Sequence, residues 1–252
     1  MSLEKAAAII LRVVPWSESS YVVTLFTREA GKVCAVAKGG RRLKGPFESA
    51  LDVLAVCNVV FLRKSSEALD VLTEAKLVRR FRLRGRDLAG LYAGYYVAEL
   101  LNELTEDYDR HAELFDAADQ TLACLGNEAE VAKRLFRFEL TALRLLGFLP
   151  SLRQCAECGM NLENELENAG RVAFSQLCGG TLCRKCRPGK RHVISLSHRA
   201  WQALVATGAT DSEAWRQVKF DRNTIGELRS VLNQYMSGLI GHKLRLMDYL
   251  TI

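Results

Sequence analysis

Two Cys-x-x-Cys pairs, Cys155/Cys158 and Cys183/Cys186, constrain the fold of this chain more than any other feature of its sequence. Twenty-four residues separate the pairs, so the chain can loop out and return to present four thiolates to one ion. Zinc favours a tetrahedral shell of sulfur, and a four-cysteine shell leaves no open position for a reacting water. The sequence therefore predicts one structural zinc ion, with a redox-active dithiol and a disulfide pair as the alternatives.

The first eighty residues contain apolar segments rich in Val and Leu, each bounded by Gly, Ser, Pro or charged residues. This pattern predicts short β-strands. The predicted strands are Ala6–Val14, Tyr21–Phe26, Lys32–Ala37, Leu51–Leu62 and Ala68–Val78. Five short strands suit a small closed barrel, and the OB-fold is the commonest five-stranded choice.

After Arg86 the apolar period changes to three and four residues, which indicates amphipathic helices. Three apolar faces are predicted, one for each helix. They are Leu88, Leu91, Tyr95 and Ala98, then Leu114, Ala117/Ala118 and Leu122, then Val131, Leu135, Phe138, Ala142 and Leu145/Leu146. Gly147 and Pro150 are expected to end the third helix. Beyond the cysteine segment, Ser197 is expected to cap a helix, and Thr224 with Glu227 has the spacing of a capping box.

These elements predict an α+β fold in which a zinc module interrupts a helical region. The expected domains are an OB-fold over 1–81, a helical domain over 82–150 and 193–252, and the zinc module over 151–192.

The net charge of +6 is unevenly distributed along the chain. Residues 1–80 carry 13 basic and 8 acidic side chains, whereas residues 81–150 carry 8 basic and 12 acidic ones. Clustered positive charge is the expected footprint of a polyanion-binding surface, so the barrel and the zinc module are expected to face nucleic acid.

Three basic clusters lie where such a surface would be. The first is a glycine-containing loop whose cations can replace the counterions of a phosphate chain. The second basic cluster follows the last predicted strand. The third lies on the segment of the second cysteine pair, and a bound metal would fix that segment in place. The residues predicted to contact DNA are Lys38, Arg41, Arg42, Lys44, Arg80, Arg82, Arg184 and Lys185. The alternative for the first cluster is a solvated loop, and for the second it is a solvated linker with salt bridges to acidic helices. For the third cluster, contact with an acidic partner is the alternative to DNA.

Several classes of protein do not fit this sequence. No apolar run reaches the ~20 residues that a transmembrane helix needs. The N-terminus lacks the pattern of a signal peptide, and with the cysteine usage this predicts a reducing cytoplasmic location. The histidines are scattered and no phosphate-binding Gly-Lys-Ser/Thr loop occurs, so no catalytic site is predicted. Trp16 stands out as a candidate exposed aromatic residue on a loop.

Read from end to end, the chain resembles the RecO family of bacterial recombination mediators. The segments that carry the resemblance are Leu25–Lys32, Ala35–Arg42, Phe138–Leu140, Leu145–Pro150, Cys155–Gly159, Gly179–Cys186 and Leu239–Leu246. The cysteine set is the most specific of them, and the order and spacing of all of them strengthen the match.

The resemblance implies an OB-fold, a helical domain with a zinc module, and binding to single- and double-stranded DNA. It also implies annealing of complementary strands and, with RecR, loading of RecA onto DNA coated with single-stranded DNA-binding protein. We therefore expect a non-enzymatic recombination mediator. A zinc-ribbon RNA-binding or transcription-associated factor and a thiol–disulfide enzyme are the alternatives.

The acidic C-terminal tail of single-stranded DNA-binding protein is a further implied partner. An amphipathic helix bearing Arg134, Arg137 and Phe138 is expected to offer this tail a hydrophobic slot with a cationic rim.

Overall fold

The computed structural model describes residues 2–42, 45, 47, 50–64, 68–83, 87–125, 131–166, 170–210 and 214–250. The chain divides into two compact units, one of residues 1–131 with 248–251 and the other of residues 132–247 with 252. The first unit holds the barrel strands and the two helices that follow them. The domain boundaries expected at residues 81, 150 and 192 stay a prediction.

A five-stranded barrel forms the core of the first unit. Its strands are β1 (Ser2–Pro15), β2 (Tyr21–Thr27), β3 (Gly31–Ala37), β4 (Val56–Arg63) and β5 (Asp70–Arg79). β1 pairs antiparallel with both β2 and β4, and antiparallel pairs also join β2 to β3 and β4 to β5. A short parallel pairing of Ala35–Ala37 with Asp70–Leu72 closes the ring in the order β1-β2-β3-β5-β4. The predicted five-stranded OB-type barrel is confirmed.

Alternation of side chains fills the barrel. Along β3, residues Val33, Ala35 and Ala37 are fully buried, and the residues between them are half-buried. Successive side chains of a strand point to opposite faces, so this period of two places one face of β3 in the core. Phe61 of β4 and Phe47 of the preceding loop belong to the same core.

The predicted fourth strand, Leu51–Leu62, is wrong at its beginning. The strand begins at Val56, and residues 51–55 form a turn in which Leu54 has a positive φ of 67°. Leu54 N donates to Ile10 O at 2.8 Å, and Ile10 N donates to Ala55 O at 3.0 Å. Leu54 and Ala55 are therefore apolar because the turn is buried against β1, and not because it continues the strand.

Two helices, α1 (Leu88–Leu104) and α2 (Ala112–Cys124), follow the barrel in the first unit. The apolar face predicted for α1 is wrong in part, because Leu88 is 61% and Tyr95 39% exposed. The buried face contains small residues instead, among them Gly90, Ala93 and Gly94. A Cβ atom on Gly94 would lie 2.8 Å from Leu54 Cδ1, so this face lets the helix approach its neighbours closely.

The second unit combines helices with a small antiparallel sheet. Its helices are α3 (Val131–Leu145), α4 (Glu163–Leu166), α5 (His198–Gly208), α6 (Ala214–Gln217) and α7 (Arg222–Ile240). Its strands are β6 (Arg171–Ser175), β7 (Gly180–Leu182) and β8 (Val193–Ser197), in the order β7-β6-β8. A 3-10 helix, Arg245–Tyr249, lies near the C-terminus. Among the described residues, no helix is both long and apolar enough to cross a membrane.

Helix caps follow the predictions in one case and not in the other. Ser197 caps α5, because its Oγ accepts a hydrogen bond from Ala200 N at 3.1 Å. The capping box at Thr224 and Glu227 is wrong, since α7 begins three residues earlier than predicted, where Asp221 accepts from Thr224 N at 2.8 Å. Glu227 instead accepts hydrogen bonds from Ser197 N and Oγ, and these bonds join α7 to the start of α5.

Candidate functional site

The basic loop after β3 is an ordered turn with exposed cations. Gly40 N donates to Ala37 O at 3.2 Å, and Arg42 N donates to Gly39 O at 3.0 Å, so the backbone is fixed as far as Arg42. The Lys38, Arg41 and Arg42 side chains are exposed, as the prediction of a DNA contact requires. Lys44 lies outside the described residues.

The turn between β1 and β2 faces this basic loop. An open cavity of about 440 Å³ lies between the two segments, and we call it the loop cleft. It is lined by Trp16, Ser17, Ser19, Ser20, Val36, Lys38, Gly39 and Arg42. The serines of the opposing turn were not among the predicted site residues, because only the barrel topology brings that turn to the basic loop.

Arg41 connects the two walls of the loop cleft. Its backbone N donates to Ser19 O at 3.1 Å, and its Nη1 donates to Ser17 O, also at 3.1 Å. The guanidinium carbon lies 6.0 Å from the centre of the Tyr21 ring, at the limit of a cation–π contact. Arg41 therefore holds the β1–β2 turn in place, and Lys38 and Arg42 are the cations that line the cleft.

The second basic cluster is only partly available. Arg82 is exposed, Arg80 is half-buried, and Arg84 and Arg86 lie outside the described residues. Arg79, at the end of β5, forms a salt bridge with Asp119 of α2 and also donates to the Asp119 carbonyl at 3.1 Å. Arg79 therefore forms the salt bridge to an acidic helix that was the alternative to DNA contact for this cluster.

The four cysteines of the two pairs meet in the second unit. The sulfur atoms of Cys155, Cys158, Cys183 and Cys186 all lie within 4.8 Å of one another, so this group could hold a metal ion. Each pair lies on a tight turn: Gly159 N donates to Cys155 O at 2.9 Å, and Arg187 N donates to Cys183 O at 3.1 Å. Gly159 has a positive φ of 72°, a conformation that glycine adopts without strain.

The surroundings of the sulfur atoms fit a cation. Burial raises the pKa of the Cys155 thiol, but hydrogen bonds from nearby backbone N–H groups, including that of Cys183, outweigh burial and lower the pKa to about 6. The hydrogen bond to Cys183, burial and the remaining neighbouring thiols raise the pKa of Cys186 to about 12. Four thiolates this close repel one another unless a positive ion lies between them. Four sulfur donors are the set that a structural zinc site uses.

The third basic cluster lies on the second cysteine turn. Arg184 and Lys185 are both exposed, between Cys183 and Cys186. Arg184 N donates to Glu165 Oε1 at 2.7 Å, which fixes the backbone of this turn. Lys190 is engaged differently, because its Nζ lies 2.8 Å from Glu157 Oε2.

The residues predicted to bind an acidic tail do not form an open slot. Phe138 is only 2% exposed, and so it packs inside the second unit. Arg137 Nη1 donates to the carbonyl oxygens of Thr207 and Ala209 at 2.6 and 2.5 Å. Arg134 is half-buried on the same helix, and tail binding by these residues stays a prediction.

An OB-type barrel with an exposed basic loop, carried on the same chain as a four-cysteine cluster, is typical of nucleic-acid-binding proteins. The family models agree with this class: residues 1–81 match the Recombination protein O N-terminal model and residues 85–248 match the C-terminal model. The chain belongs to the RecO family.

Relatives cover nearly the whole chain. It is 39% identical to "DNA repair protein RecO" of Rhodopirellula baltica, over 96% of this chain and 97% of the relative. It is 32% identical to the protein of the same name from Anaeromyxobacter dehalogenans strain 2CP-C, over 99% and 96% of the two chains. Family membership supports a function in DNA repair and recombination.

Proposed function

We propose that this protein is a non-enzymatic DNA-binding recombination mediator that anneals complementary strands. With RecR, it would help to load RecA onto DNA coated with single-stranded DNA-binding protein. The observation that carries the proposal is the ordered basic loop Lys38–Arg42 on an OB-type barrel in a RecO-family chain. The same loop is part of a segment that carries the family resemblance.

The chemistry of annealing fits cations on a fixed turn. Two DNA strands repel each other through their phosphates, and each phosphate that a lysine or arginine neutralises releases condensed counterions. Lys38 and Arg42 are both exposed and line the loop cleft, so both side chains can reach a phosphate chain. Neutralising the backbone while leaving base edges uncovered lets complementary strands meet.

The cysteine cluster would support this function without taking part in chemistry. Cys155, Cys158, Cys183 and Cys186 would hold one zinc ion, which when bound supplies only structural closure of the two turns. Arg184 and Lys185 would then be presented on a rigid turn, where ordering them for DNA contact costs little entropy.

A charge-reversal experiment tests the barrel loop. The double variant Lys38→Glu/Arg42→Glu should weaken binding to single-stranded DNA by at least about tenfold and reduce the magnitude of the slope of log K against log salt by at least about 1. The control is Lys5→Glu/Lys76→Glu, which makes the same charge change at two exposed lysines that line a different cavity of the barrel. Equal affinity and slope for the two variants would remove the loop from the mechanism.

We infer that the acidic tail of single-stranded DNA-binding protein docks in the second unit beside Arg137. A cavity of about 340 Å³ there is lined by apolar side chains, including Leu149, Leu152 and Val205, and by Arg153. Gly208 and Ala209 also line it, and Ala209 O accepts from Arg137. Arg153 forms a salt bridge with Glu163, and a carboxylate of the acidic tail would replace Glu163 as its partner at the edge of this apolar cavity.

Titration of a labelled tail peptide tests this site. Arg153→Glu should weaken binding by about tenfold, since it places a like charge at the edge of the cavity. Arg222→Glu, a charge reversal at an exposed arginine of the same unit that does not line the cavity, should leave affinity unchanged. Unchanged affinity for Arg153→Glu would exclude this cavity as the tail site.

A further inference from the structure

We propose that the loop cleft receives one unpaired nucleotide of single-stranded DNA, with its base stacked on Trp16 and its backbone between Lys38 and Arg42. The inference rests on the proposed DNA-binding function and adds the form of DNA that this site selects. Four observations carry it: the exposure of Trp16, the rigidity of its turn, the charges opposite it, and the size of the cleft.

Trp16 is 67% exposed, on a turn immediately after β1. Tryptophan has a large apolar surface that normally contributes to a core or an interface, so leaving it in water costs stability. Trp16 lines the loop cleft together with Lys38 and Arg42. A flat apolar surface beside positive charge suits a ligand that is itself a flat ring joined to an anion.

The turn that carries Trp16 is held by several hydrogen bonds. Trp16 N and Ser17 N donate to Ser20 O at 3.0 and 3.3 Å. Arg41 donates from its backbone N to Ser19 O and from its side chain to Ser17 O, as described above. Arg41 is therefore a positioning residue, which holds the backbone that presents the indole. A fixed turn lowers the entropy cost of stacking a base on Trp16.

The opposite wall supplies charge and a close approach of the backbone. Lys38 and Arg42 line the cleft, and both are exposed. Gly39 lies between them with a positive φ of 76°, and it adds no side chain to the wall. The volume of about 440 Å³ falls within the ~300–1,000 Å³ of small-ligand pockets. The cleft can therefore hold a single nucleotide.

Selection between strand forms follows from the geometry of the ligand. A base in a duplex is paired and stacked on its neighbours, so its flat face cannot reach a protein ring. A base in a single strand exposes that face, and stacking on an aromatic side chain tolerates any sequence. Lys38 and Arg42 can bind the phosphates of either form, whereas Trp16 favours the single strand.

Two substitutions at Trp16 test the proposal: one replaces the ring by an aliphatic side chain, and the other keeps an aromatic ring. In titrations of the full-length protein with labelled oligothymidine, Trp16→Leu should raise Kd between about 5-fold and about 100-fold, the range of one base–aromatic stack. The same variant should raise Kd for a duplex of equal length less than about 2-fold, because phosphate contacts remain. Trp16→Phe should retain most of the affinity, since a ring is still present.

Two further readouts separate stacking from a structural role. Oligothymidine should quench the tryptophan emission of the unmodified protein, and Trp16→Phe should lose that quench while still binding. The salt dependence of Trp16→Leu should equal that of the unmodified protein, whereas Arg42→Ala should reduce the slope by about 0.7.

The outcomes distinguish this inference from the function on which it rests. If Trp16→Leu leaves single-strand affinity unchanged, or weakens single-strand and duplex binding equally, the nucleotide site is wrong. If the unmodified protein binds neither form of DNA, the proposed function itself fails. If it binds DNA and Arg42→Ala weakens binding while Trp16→Leu does not, only the stacking site is excluded.

Discussion

Arginine side chains of the first unit fall into two groups according to their partners. Arg28 binds Asp116 through two hydrogen bonds of 2.8 and 3.0 Å, and this contact lowers the pKa of the Asp116 carboxyl. Arg79 is paired with Asp119. Arg42, in contrast, lines the loop cleft with its charge exposed. The position of each arginine on the barrel therefore decides whether its charge holds a helix or remains available to a ligand.

Gly31 illustrates a residue whose identity is set by a close approach. Its φ is 73°, and a Cβ atom there would lie 2.1 Å from the carbonyl oxygen of Asp109. Gly31→Ala should therefore lower the free energy of unfolding by about 2–4 kcal/mol, because backbone strain and a clash with main chain add together. Urea unfolding followed by circular dichroism would measure the change.

Gly39→Ala is the matched control for Gly31→Ala. Gly39 has nearly the same φ, 76°, but among the described residues a Cβ atom there would meet only the Arg42 side chain, at 3.6 Å. Gly39→Ala should therefore lower the free energy of unfolding by about 1 kcal/mol, because it adds backbone strain but no clash with main chain. Equal losses for the two variants would show that the contact with Asp109 is not what fixes Gly31.

At the scale of elements, the regular patterns predicted strands well and contacts between elements poorly. The predictions Tyr21–Phe26 and Lys32–Ala37 differ from the observed strands by one residue, because period-two burial is a local property of the sequence. The buried face of α1 was missed because its small residues do not stand out as apolar. The turn at residues 51–55 was read as strand because only its contact with β1 explains its apolar side chains.

The cysteine turns are elements whose order should depend on metal. Cys183→Ser should reduce bound zinc from about one ion per chain to near zero and expose residues 155–186 to proteolysis, since structural zinc supplies about 10–16 kcal/mol of apparent binding energy. The barrel should stay folded, because the cysteine cluster belongs to the other compact unit. Elemental analysis and limited proteolysis would measure both effects.

Cys178→Ser is the control for the metal site. Cys178 is near the four ligands in sequence but lies outside the cluster of sulfur atoms within 4.8 Å. Zinc content should therefore be unchanged in this variant. Loss of zinc from Cys178→Ser, or no zinc in the unmodified protein, would contradict a closed four-cysteine site.

At the scale of the whole molecule, the uneven charge of the sequence has a structural explanation within the first unit. The acidic residues 81–150 include Asp107, Asp116 and Asp119, which contact Lys32, Arg28 and Arg79 of the barrel. Much of the positive charge on this part of the barrel is therefore neutralised internally. The loop cleft keeps Lys38 and Arg42 exposed, and under the proposed function these are the cations that meet DNA.

Long-range partners explain why much of the candidate site could not be predicted from sequence. The sequence predicted the cysteine cluster and the exposed basic loop from local spacing. It could not pair the basic loop with the β1–β2 turn, because that depends on barrel closure. Glu139 and Arg229 form a buried pair with Nη1–Oε1 at 2.6 Å, and their separation of 90 positions along the chain kept this contact from being predicted. The pair explains why the family-like segment Phe138–Leu140 has a carboxylate at its buried middle position, since Glu139 is the partner of Arg229.

The basic loop of the barrel is proposed to anneal DNA, and one measurement tests this role directly. Annealing of complementary strands coated with single-stranded DNA-binding protein should be accelerated by the unmodified protein and by the control Lys5→Glu/Lys76→Glu. The variant Lys38→Glu/Arg42→Glu should lose at least about tenfold of that rate, in line with its weaker phosphate binding. Annealing by this variant at the rate of the control would contradict the claim.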